Sequence, residues 1–217
     1  MERITVESLK QDPVFRHFYT ISQIPHASGR EAALAQEIVN WAGALGIAAE
    51  TDENGNVFLQ KPAGARSVGN APTVMLQAHL DMVCVKNERS HHNFDTDPIP
   101  WVIEDDGDTL STGKETSLGA DDGIGVALAM SVLASDDPAL PPLEALFTVM
   151  EEDDLSGARN FDMSRSKAAF LINLDHTDEH EILCGSCGGM RTDFRIPVKR
   201  VPFPNGWKVY RLHISGL

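Results

Sequence analysis

The sequence predicts an α/β fold in which helices flank a mostly parallel sheet, followed by the first hairpin of a truncated second domain. Three short apolar runs, at 73–78, 143–150 and 168–174, have the length and composition of strands that are buried on both faces. A helical pattern separates the first two runs, as parallel strands require. Beyond 190 the pattern changes to alternating apolar and polar residues, which is typical of a hairpin.

Two helices are predicted before the first of these strands. Asp12 provides the N-cap of a helix over 13–24, and Pro13 occupies its first position. Ser28-Gly-Arg-Glu31 has the pattern of a capping box, so a second helix is expected to begin there and to end at Gly46. The segments between this helix and the first apolar run are predicted as two short strands joined by a turn, and then a loop: 47–50, 54–56, 57–60 and 63–70.

A third helix, nearly all apolar, is predicted over 122–135. The motif Gly119-Ala-Asp-Asp-Gly123 marks its start. The longest apolar run of the chain, 123–134, is far shorter than the roughly 20 residues that cross a bilayer. No membrane-spanning segment is therefore expected.

The end of the chain has the pattern of two strands around the loop 201–206. The alternating apolar residues of these strands are Phe194, Ile196, Val198, Tyr210, Leu212 and Ile214. Because two strands alone are only marginally stable in water, we interpret 191–217 as the start of a second domain that is cut off. Residues 1–190 then form the first domain.

Composition excludes several classes of function. Hydrophobic residues make up 42% and charged residues 23% of the 217 residues, which excludes wholesale disorder. Acidic residues outnumber basic ones 32 to 18, so a phosphate backbone would repel the chain and no nucleic-acid partner is expected. Three cysteines are too few for a disulfide framework, and residues 1–15 lack the apolar segment of a signal peptide. We therefore expect a soluble, cytoplasmic protein without a membrane partner.

Histidine and carboxylate side chains follow each predicted strand of the parallel sheet. His79 and Asp81 follow the first strand, 151–154 is an acidic run after the second, and Asp175 follows the third. A pair of aspartates, 121 and 122, stands at the start of the apolar helix. Ligands of open α/β sheets bind beyond the carboxyl ends of the strands, so these side chains are expected to meet at one edge.

Crowded carboxylates repel one another unless a cation offsets their charge. One imidazole among several carboxylates suits Zn²⁺, with Mn²⁺ or Co²⁺ as substitutes. Asp81 lies on the same side of an extended segment as His79, so it is placed to accept the second N–H of the imidazole. Glu151 and Glu152 point in opposite directions if extended, so one can bind metal while the other acts as a general base.

Each feature also has a purely structural interpretation. A single histidine after a strand is usually structural, an acidic run is usually a solvated loop, and Asp121 or Asp122 alone is equally well a helix N-cap. The excess of acidic residues can likewise be a solvated surface. The placement of four separate segments at one edge favours the metal interpretation.

The motifs resemble those of the co-catalytic zinc peptidases, a family that includes aminoacylases, carboxypeptidase G and peptidase T. Four segments carry this resemblance: Ala78-His-Leu-Asp-Met-Val83, Thr116-Ser-Leu-Gly-Ala-Asp-Asp-Gly-Ile-Gly125, Met150-Glu-Glu-Asp153 and Leu171-Ile-Asn-Leu-Asp175. Three others are similar to the Xaa-His (aminoacyl-histidine) dipeptidase branch: Ile24-Pro-His-Ala-Ser28, Phe94-Asp-Thr-Asp-Pro-Ile99 and Cys184-Gly-Ser-Cys-Gly-Gly189.

The resemblance implies a site with two zinc ions. In it, His79 and Asp175 bind the first ion, Asp121 bridges the two, and Glu152 binds the second. The peptide bond between Asp121 and Asp122 is expected to be cis. The last ligand of the family is a histidine near the end of a much longer chain, and no residue here matches it.

The resemblance also implies catalytic roles and a domain organisation. Asp81 orients His79, and Glu151 is the general base that takes a proton from the zinc-activated water and returns it to the leaving amine. Residues 1–190 correspond to the N-terminal part of the catalytic zinc-binding domain, and 191–217 to the start of a truncated lid or dimerisation domain. The expected activity is hydrolysis of dipeptides, the full-length protein is expected to be a homodimer, and the fragment alone is expected to be inactive.

Three alternatives remain open at the level of sequence. A related tripeptidase or N-acyl amino acid deacylase would share the same motifs. A non-catalytic binding scaffold would have no need of Glu151. A redox protein would use Cys184 and Cys187, but that pair follows a strand and precedes two glycines, whereas a redox pair opens a helix.

Overall fold

A computed structural model describes residues 4–178, 180–185, 192, 194–200, 202 and 205–213. The chain divides into two compact units, Met1–Glu179 and His180–Leu217. The first unit contains all the helices and strands of the described residues. The strands are β1 (Ala48–Thr51), β2 (Val57–Lys61), β3 (Thr73–His79), β4 (Val102–Ile103), β5 (Leu110–Ser111), β6 (Leu143–Thr148) and β7 (Ala168–Asn173). The helices are α1 (Val6–Leu9), α2 (Pro13–Ser22), α3 (Ala32–Ala44), α4 (Ala120–Ala134), α5 (Ser156–Asn160) and a 3₁₀ turn, Met163–Arg165.

Five strands form one mixed sheet in the order β1-β2-β6-β3-β7. Strand β3 is parallel to both β6 and β7, while β2 is antiparallel to β6 and to β1. The antiparallel arrangement of β1 and β2 follows from their short connection, which only antiparallel neighbours allow. The predicted α/β class with a mainly parallel central sheet is confirmed. As a consequence, the carboxyl ends of β3, β6 and β7 lie at the same edge of the sheet.

The start of α2 confirms one local prediction and the start of α3 contradicts another. The Asp12 carboxylate accepts the N–H groups of Val14 and Phe15, as expected of an N-cap. At α3, however, Glu31 occupies the N-cap position with helical backbone angles and no capping hydrogen bond from its side chain. The predicted capping box of Ser28 and Glu31 is therefore wrong, because both side chains form hydrogen bonds with residues distant in sequence.

The main core lies between the sheet and the helices α2, α3 and α4. Phe18, Ile38, Leu133 and Phe147 are among its fully buried side chains. Helix α2 packs closely on α4, since a methyl group at Gly123 would lie 2.9 Å from the Phe18 ring. On the opposite face of the sheet a smaller cluster is formed by Phe58, Met75, Leu146 and Phe161. The predicted burial on both faces is wrong for β7, because this strand lies at the edge of the sheet and its Phe170, Leu171 and Ile172 side chains are exposed.

The second unit is described over 180–185, 192, 194–200, 202 and 205–213, and these residues form no helix or strand. Apolar side chains in this part, such as Phe194, Tyr210 and Leu212, are exposed. The predicted hairpin includes Ile214, which lies outside the described residues. The hairpin and the domain boundary at 190 therefore stay predictions. No helix in the described part of the chain combines the length and the apolar character needed to cross a membrane.

Candidate metal centre

The predicted site residues lie at the carboxyl edge of the parallel strands. His79 is the last residue of β3 and is buried, with 1% of its surface exposed. Glu151 and Glu152 follow the end of β6, Asp175 follows the end of β7, and Asp121 lies in the first turn of α4. Parallel strands therefore deliver the side chains to one place, as the strand-end rule predicts.

The imidazole of His79 is the centre of this cluster. Its Nε2 lies 3.0 Å from Asp121 Oδ1, 3.9 Å from Glu151 Oε2 and 3.9 Å from Asp175 Oδ2. Its Nδ1 lies 2.8 Å from the backbone oxygen of Asp81 and 3.5 Å from the carboxylate of the same residue. A hydrogen bond from Nδ1 to Asp81 leaves Nε2 as the nitrogen that faces the carboxylates. The closer partner at Nδ1 is thus the backbone oxygen of Asp81, rather than the carboxylate that the sequence indicated.

Two overlapping groups of side chains can hold a metal ion among the described residues. In one, ligand atoms of His79, Asp121 and Glu152 lie within 4.8 Å of one another. In the other, ligand atoms of His79, Asp122 and Asp175 satisfy the same limit. The two groups overlap at His79. All four ligands implied by the resemblance are included, and Asp122 is an addition.

Asp122 has a second set of partners within the protein. Its carboxyl oxygens accept the N–H of His79 at 3.1 Å and the N–H of Gly125 at 3.1 Å. A side chain at Gly125 would place its Cβ 2.2 Å from Asp122 Oδ1, so this position requires glycine. The peptide bond between Asp121 and Asp122 is cis, as the resemblance implies. The sequence left open which aspartate of the pair is structural, and the structure shows that Asp122 ties α4 to the end of β3.

Burial and mutual repulsion raise the pKa of four carboxyl groups of the cluster, those of Asp122, Asp175, Glu151 and Glu152. Burial, followed by the charge of Asp175, raises the pKa of Asp122 to about 7. Burial also raises the pKa of Asp175, Glu151 and Glu152, and neighbouring carboxylates add to each shift. A positive charge among these groups would lower the free-energy cost of ionising them together.

The surroundings of His79 favour its positively charged form. Burial by itself would lower the pKa of His79, but hydrogen bonds to Asp81 and Asp121 and the charge of Asp122 outweigh it and raise the pKa to about 10. The structure thus favours a positive charge at Nε2. A divalent cation bound there would supply the charge in place of the proton, so the donor set fits a metal ion.

The backbone of 149–152, which carries Glu151 and Glu152, is held by buried side-chain oxygens. Asn56, Glu31 and Asp81 provide these oxygens, and we call the three side chains the acceptor cradle. Its four bonds are Val149 N–H to Asn56 Oδ1 (3.1 Å), Met150 N–H to Glu31 Oε1 (3.0 Å), Glu151 N–H to Asp81 Oδ1 (2.9 Å) and Glu152 N–H to Asp81 Oδ2 (3.1 Å). The sequence indicated a role for Asp81 but not for Asn56 or Glu31.

Asp81 is the most strongly hydrogen-bonded member of the acceptor cradle. Burial would raise the pKa of its carboxyl group, but hydrogen bonds from His79, from the Ser28 hydroxyl and from two backbone N–H groups lower the pKa to about 2. Ser28 Oγ donates to Asp81 Oδ2 at 2.7 Å. Asp81 is therefore an anion that the protein itself solvates, and it joins His79 to the backbone of Glu151 and Glu152.

Neither Cys184 nor His92 belongs to a group of described residues that can hold a metal ion. Cys184 is exposed, and Cys187 lies outside the described residues, so the redox pair stays an unsupported alternative. His92 packs edge to face on Phe94 with ring centres 4.6 Å apart. These contacts give no second metal centre in the described part of the chain.

The chain thus combines an α/β sheet with a cluster of potential metal ligands at the carboxyl edge of its parallel strands. Over 212 residues it is 39% identical to the cytosol non-specific dipeptidase of Escherichia coli (strain K12). This similarity covers 98% of the chain but 43% of that protein. The dipeptidase resemblance indicated by the motifs is confirmed.

Solved structures agree with this relationship. Aminoacylhistidine dipeptidase from Vibrio alginolyticus matches 81% of the chain at 40% identity with a TM-score of 0.74, and the match covers 35% of that protein. Aminopeptidase PepT from Bacillus cereus ATCC 10987 matches 81% of the chain and 44% of its own length at 24% identity and a TM-score of 0.63, which shows a shared fold alone. No protein-family model matches the chain. The chain thus spans less than half the length of these relatives.

Proposed function

We propose that the protein hydrolyses dipeptides, with Xaa-His peptides as preferred substrates, in a zinc-dependent reaction with a glutamate as general base. The observation that carries this proposal is the convergence of three carboxylates on Nε2 of His79 at the edge of a dipeptidase-like sheet. The names of two similar proteins, a non-specific dipeptidase and an aminoacylhistidine dipeptidase, support a dipeptide substrate. Mn²⁺ and Co²⁺ are the expected substitutes for zinc.

In this proposal four side chains hold the metal. His79 and Asp175 would hold the first ion, Glu152 would hold the second, and Asp121 would be a ligand of both. When bound, the pair of cations would lower the pKa of a water molecule and polarise the scissile carbonyl. The chain itself must then orient His79 and supply a base.

Glu151 is the proposed general base. Its Oε2 lies 3.9 Å from His79 Nε2, on the border of the cluster and partly exposed. Burial raises its pKa, which makes the carboxylate a stronger proton acceptor. Glu151 takes the proton from water as the water oxygen attacks the peptide carbon, and it gives the proton to the amine nitrogen as the C–N bond breaks.

Metal analysis of the purified chain tests the site directly. We expect bound zinc or manganese, lost in His79→Ala and Asp175→Ala and largely kept in Glu151→Ala, since Glu151 is not a proposed ligand. The same metal content in His79→Ala as in the parent protein would refute the proposed centre.

A substrate panel tests the reaction. The native, full-length protein should cleave β-alanyl-histidine and other dipeptides, and a chelator should stop the reaction. Tripeptides and N-acetyl amino acids in the same panel separate the dipeptidase proposal from the related peptidase and deacylase activities. Hydrolysis that persists after complete metal removal would contradict the proposal.

We further place the protein in the cytoplasm. Support comes from the similarity to a dipeptidase named for the cytosol and from the low number of cysteines. The homodimer implied by the family resemblance stays a prediction, which the mass of the native protein in solution would test.

A further inference from the structure

The segment 149–152 is held in an unusual conformation by side chains rather than by regular structure. It follows β6 without continuing it, and Met150 has a φ of 58°, in the left-handed region that favours glycine. A non-glycine residue persists there only when its surroundings fix it. The four successive N–H groups of this segment all bond to the acceptor cradle.

The members of the acceptor cradle are themselves fixed. Glu31 Oε1 accepts the N–H of Gly29 at 3.0 Å as well as that of Met150. Asn56 Nδ2 donates to Asp52 Oδ2 at 2.8 Å and to the Gly157 oxygen at 3.0 Å. Both side chains are buried, with Glu31 5% and Asn56 0% exposed.

We infer that Glu31 and Asn56 are positioning residues, which fix through the backbone where the carboxyl groups of Glu151 and Glu152 lie. This inference rests on the proposed function, in which Glu152 binds metal and Glu151 is the base. Both residues hold the segment from the side of Val149 and Met150, whereas Asp81 holds it at Glu151 and Glu152. Outer partners of metal ligands typically change metal affinity by about 10–100-fold when they are removed.

The inference can be tested at Glu31, because a single carboxylate oxygen of this residue, Oε1, forms both hydrogen bonds. Since Oε1 alone accepts both N–H groups, Glu31→Gln can keep both bonds through its amide oxygen. Glu31→Asp keeps the carboxyl group but withdraws it by one methylene. We expect Glu31→Asp to weaken Zn²⁺ binding by about tenfold or more and Glu31→Gln to stay within about threefold of the parent protein.

Glu144 provides the matched control. It is also a buried carboxyl group, and its Oε1 accepts the backbone N–H of Lys167 at 3.0 Å, but it lies near the start of β6 rather than beyond its end. Glu144→Asp should lower the stability of the metal-free chain and leave Zn²⁺ affinity within about twofold. Affinity is measured by competition with a chromogenic chelator, and stability by urea unfolding in excess chelator.

The outcomes separate this inference from the proposed function. Weaker Zn²⁺ binding in Glu31→Asp but not in Glu31→Gln or Glu144→Asp supports the inference. Parent-like Zn²⁺ affinity in Glu31→Asp, or an equal loss in Glu31→Gln, overturns it while the metal site stands. No Zn²⁺ binding by the parent chain overturns the proposed function instead. If Glu31→Asp does not fold, Asn56→Ser, which withdraws the acceptor of Val149, carries the same expectation and the same refutation.

Discussion

The carboxyl groups in and around the candidate metal centre occur in two contrasting settings. In the acceptor cradle, Glu31 and Asp81 are buried, and their oxygens accept N–H and O–H groups of the protein. The second set, which we call the rim, faces the His79 imidazole instead and consists of Asp121, Glu151, Glu152 and Asp175. Hydrogen-bond donors of the protein thus solvate the carboxyl groups of the cradle, whereas those of the rim are placed to bind a cation.

The pKa values express this difference. Hydrogen bonds lower the pKa of Asp81 to about 2 in spite of its burial, whereas burial and neighbouring carboxylates raise the pKa of Glu151, Glu152 and Asp175. Donors of the protein therefore stabilise the charge of Asp81 in the cradle, whereas the charge of His79 offsets only part of the effect of burial and repulsion on Glu151, Glu152 and Asp175 in the rim. We expect substitutions in the cradle to lower the stability of the metal-free chain, and substitutions in the rim to lower metal affinity alone.

The largest expected effect on stability is that of Asp81→Asn. An amide nitrogen at either oxygen position would face an N–H or O–H donor, because both oxygens of Asp81 accept hydrogen bonds. We expect a loss of about 2–4 kcal/mol in the free energy of unfolding, measured with urea in excess chelator. Asp175→Asn, the rim control, should not lower this free energy. Equal losses in the two variants would remove the distinction between cradle and rim.

The pH dependence of the unfolding free energy of the metal-free chain tests how a rim residue, Asp175, acts on Asp122. The pKa of Asp122 is raised to about 7, so the stability that its proton provides is complete below about pH 4 and is lost as the pH rises through 7. The charge of Asp175 is the second cause of this shift, after burial. Asp175→Asn should therefore lower the pKa of Asp122 and reduce the loss, by about 1.4 kcal/mol for each pKa unit.

This effect is measured as the difference in unfolding free energy between pH 4.5 and pH 7 for the parent chain and for Asp175→Asn, both in excess chelator. With saturating Zn²⁺, the parent chain should lose less stability over the same range, since the metal then offsets the rim charges. An identical pH dependence in the parent and the variant would show that Asp175 does not act on Asp122.

Sequence patterns predict the rim better than the cradle for a physical reason. The carboxyl ends of parallel strands share an edge, so His79, Glu151 and Asp175 could be placed together from strand positions alone. Strand positions alone do not distinguish Asp121 from Asp122, because both stand at the start of the same helix. The family resemblance implied Asp121 as the ligand, and the three-dimensional contacts show that Asp122 bonds to β3.

The cradle, by contrast, depends on contacts between residues far apart in the sequence. Glu31 bonds to a residue 119 positions away, and Asn56 to one 93 positions away. Local patterns suggested nearer partners for both, a capping box for Glu31 and a turn for Asn56. A polar residue that fits a local motif can instead form its hydrogen bonds with a distant segment. Here the buried N–H groups of 149–152 require acceptors, and Glu31 and Asn56 provide two of them.

The smallest expected effect tests this conclusion at Ser28. Ser28→Ala removes one hydrogen bond to Asp81 Oδ2, which still accepts the N–H of Glu152, so we expect a loss of about 1 kcal/mol in unfolding free energy. If Ser28 acts through Asp81, its effect should shrink in an Asp81→Asn background. Thr5 forms a real capping box with Ser8 at α1, so Thr5→Ala should add fully to Asp81→Asn and provides the matched control. If the effects of Ser28→Ala and Asp81→Asn on the unfolding free energy were fully additive as well, Ser28 would not act through Asp81. This result would favour the original interpretation of Ser28 as a helix cap.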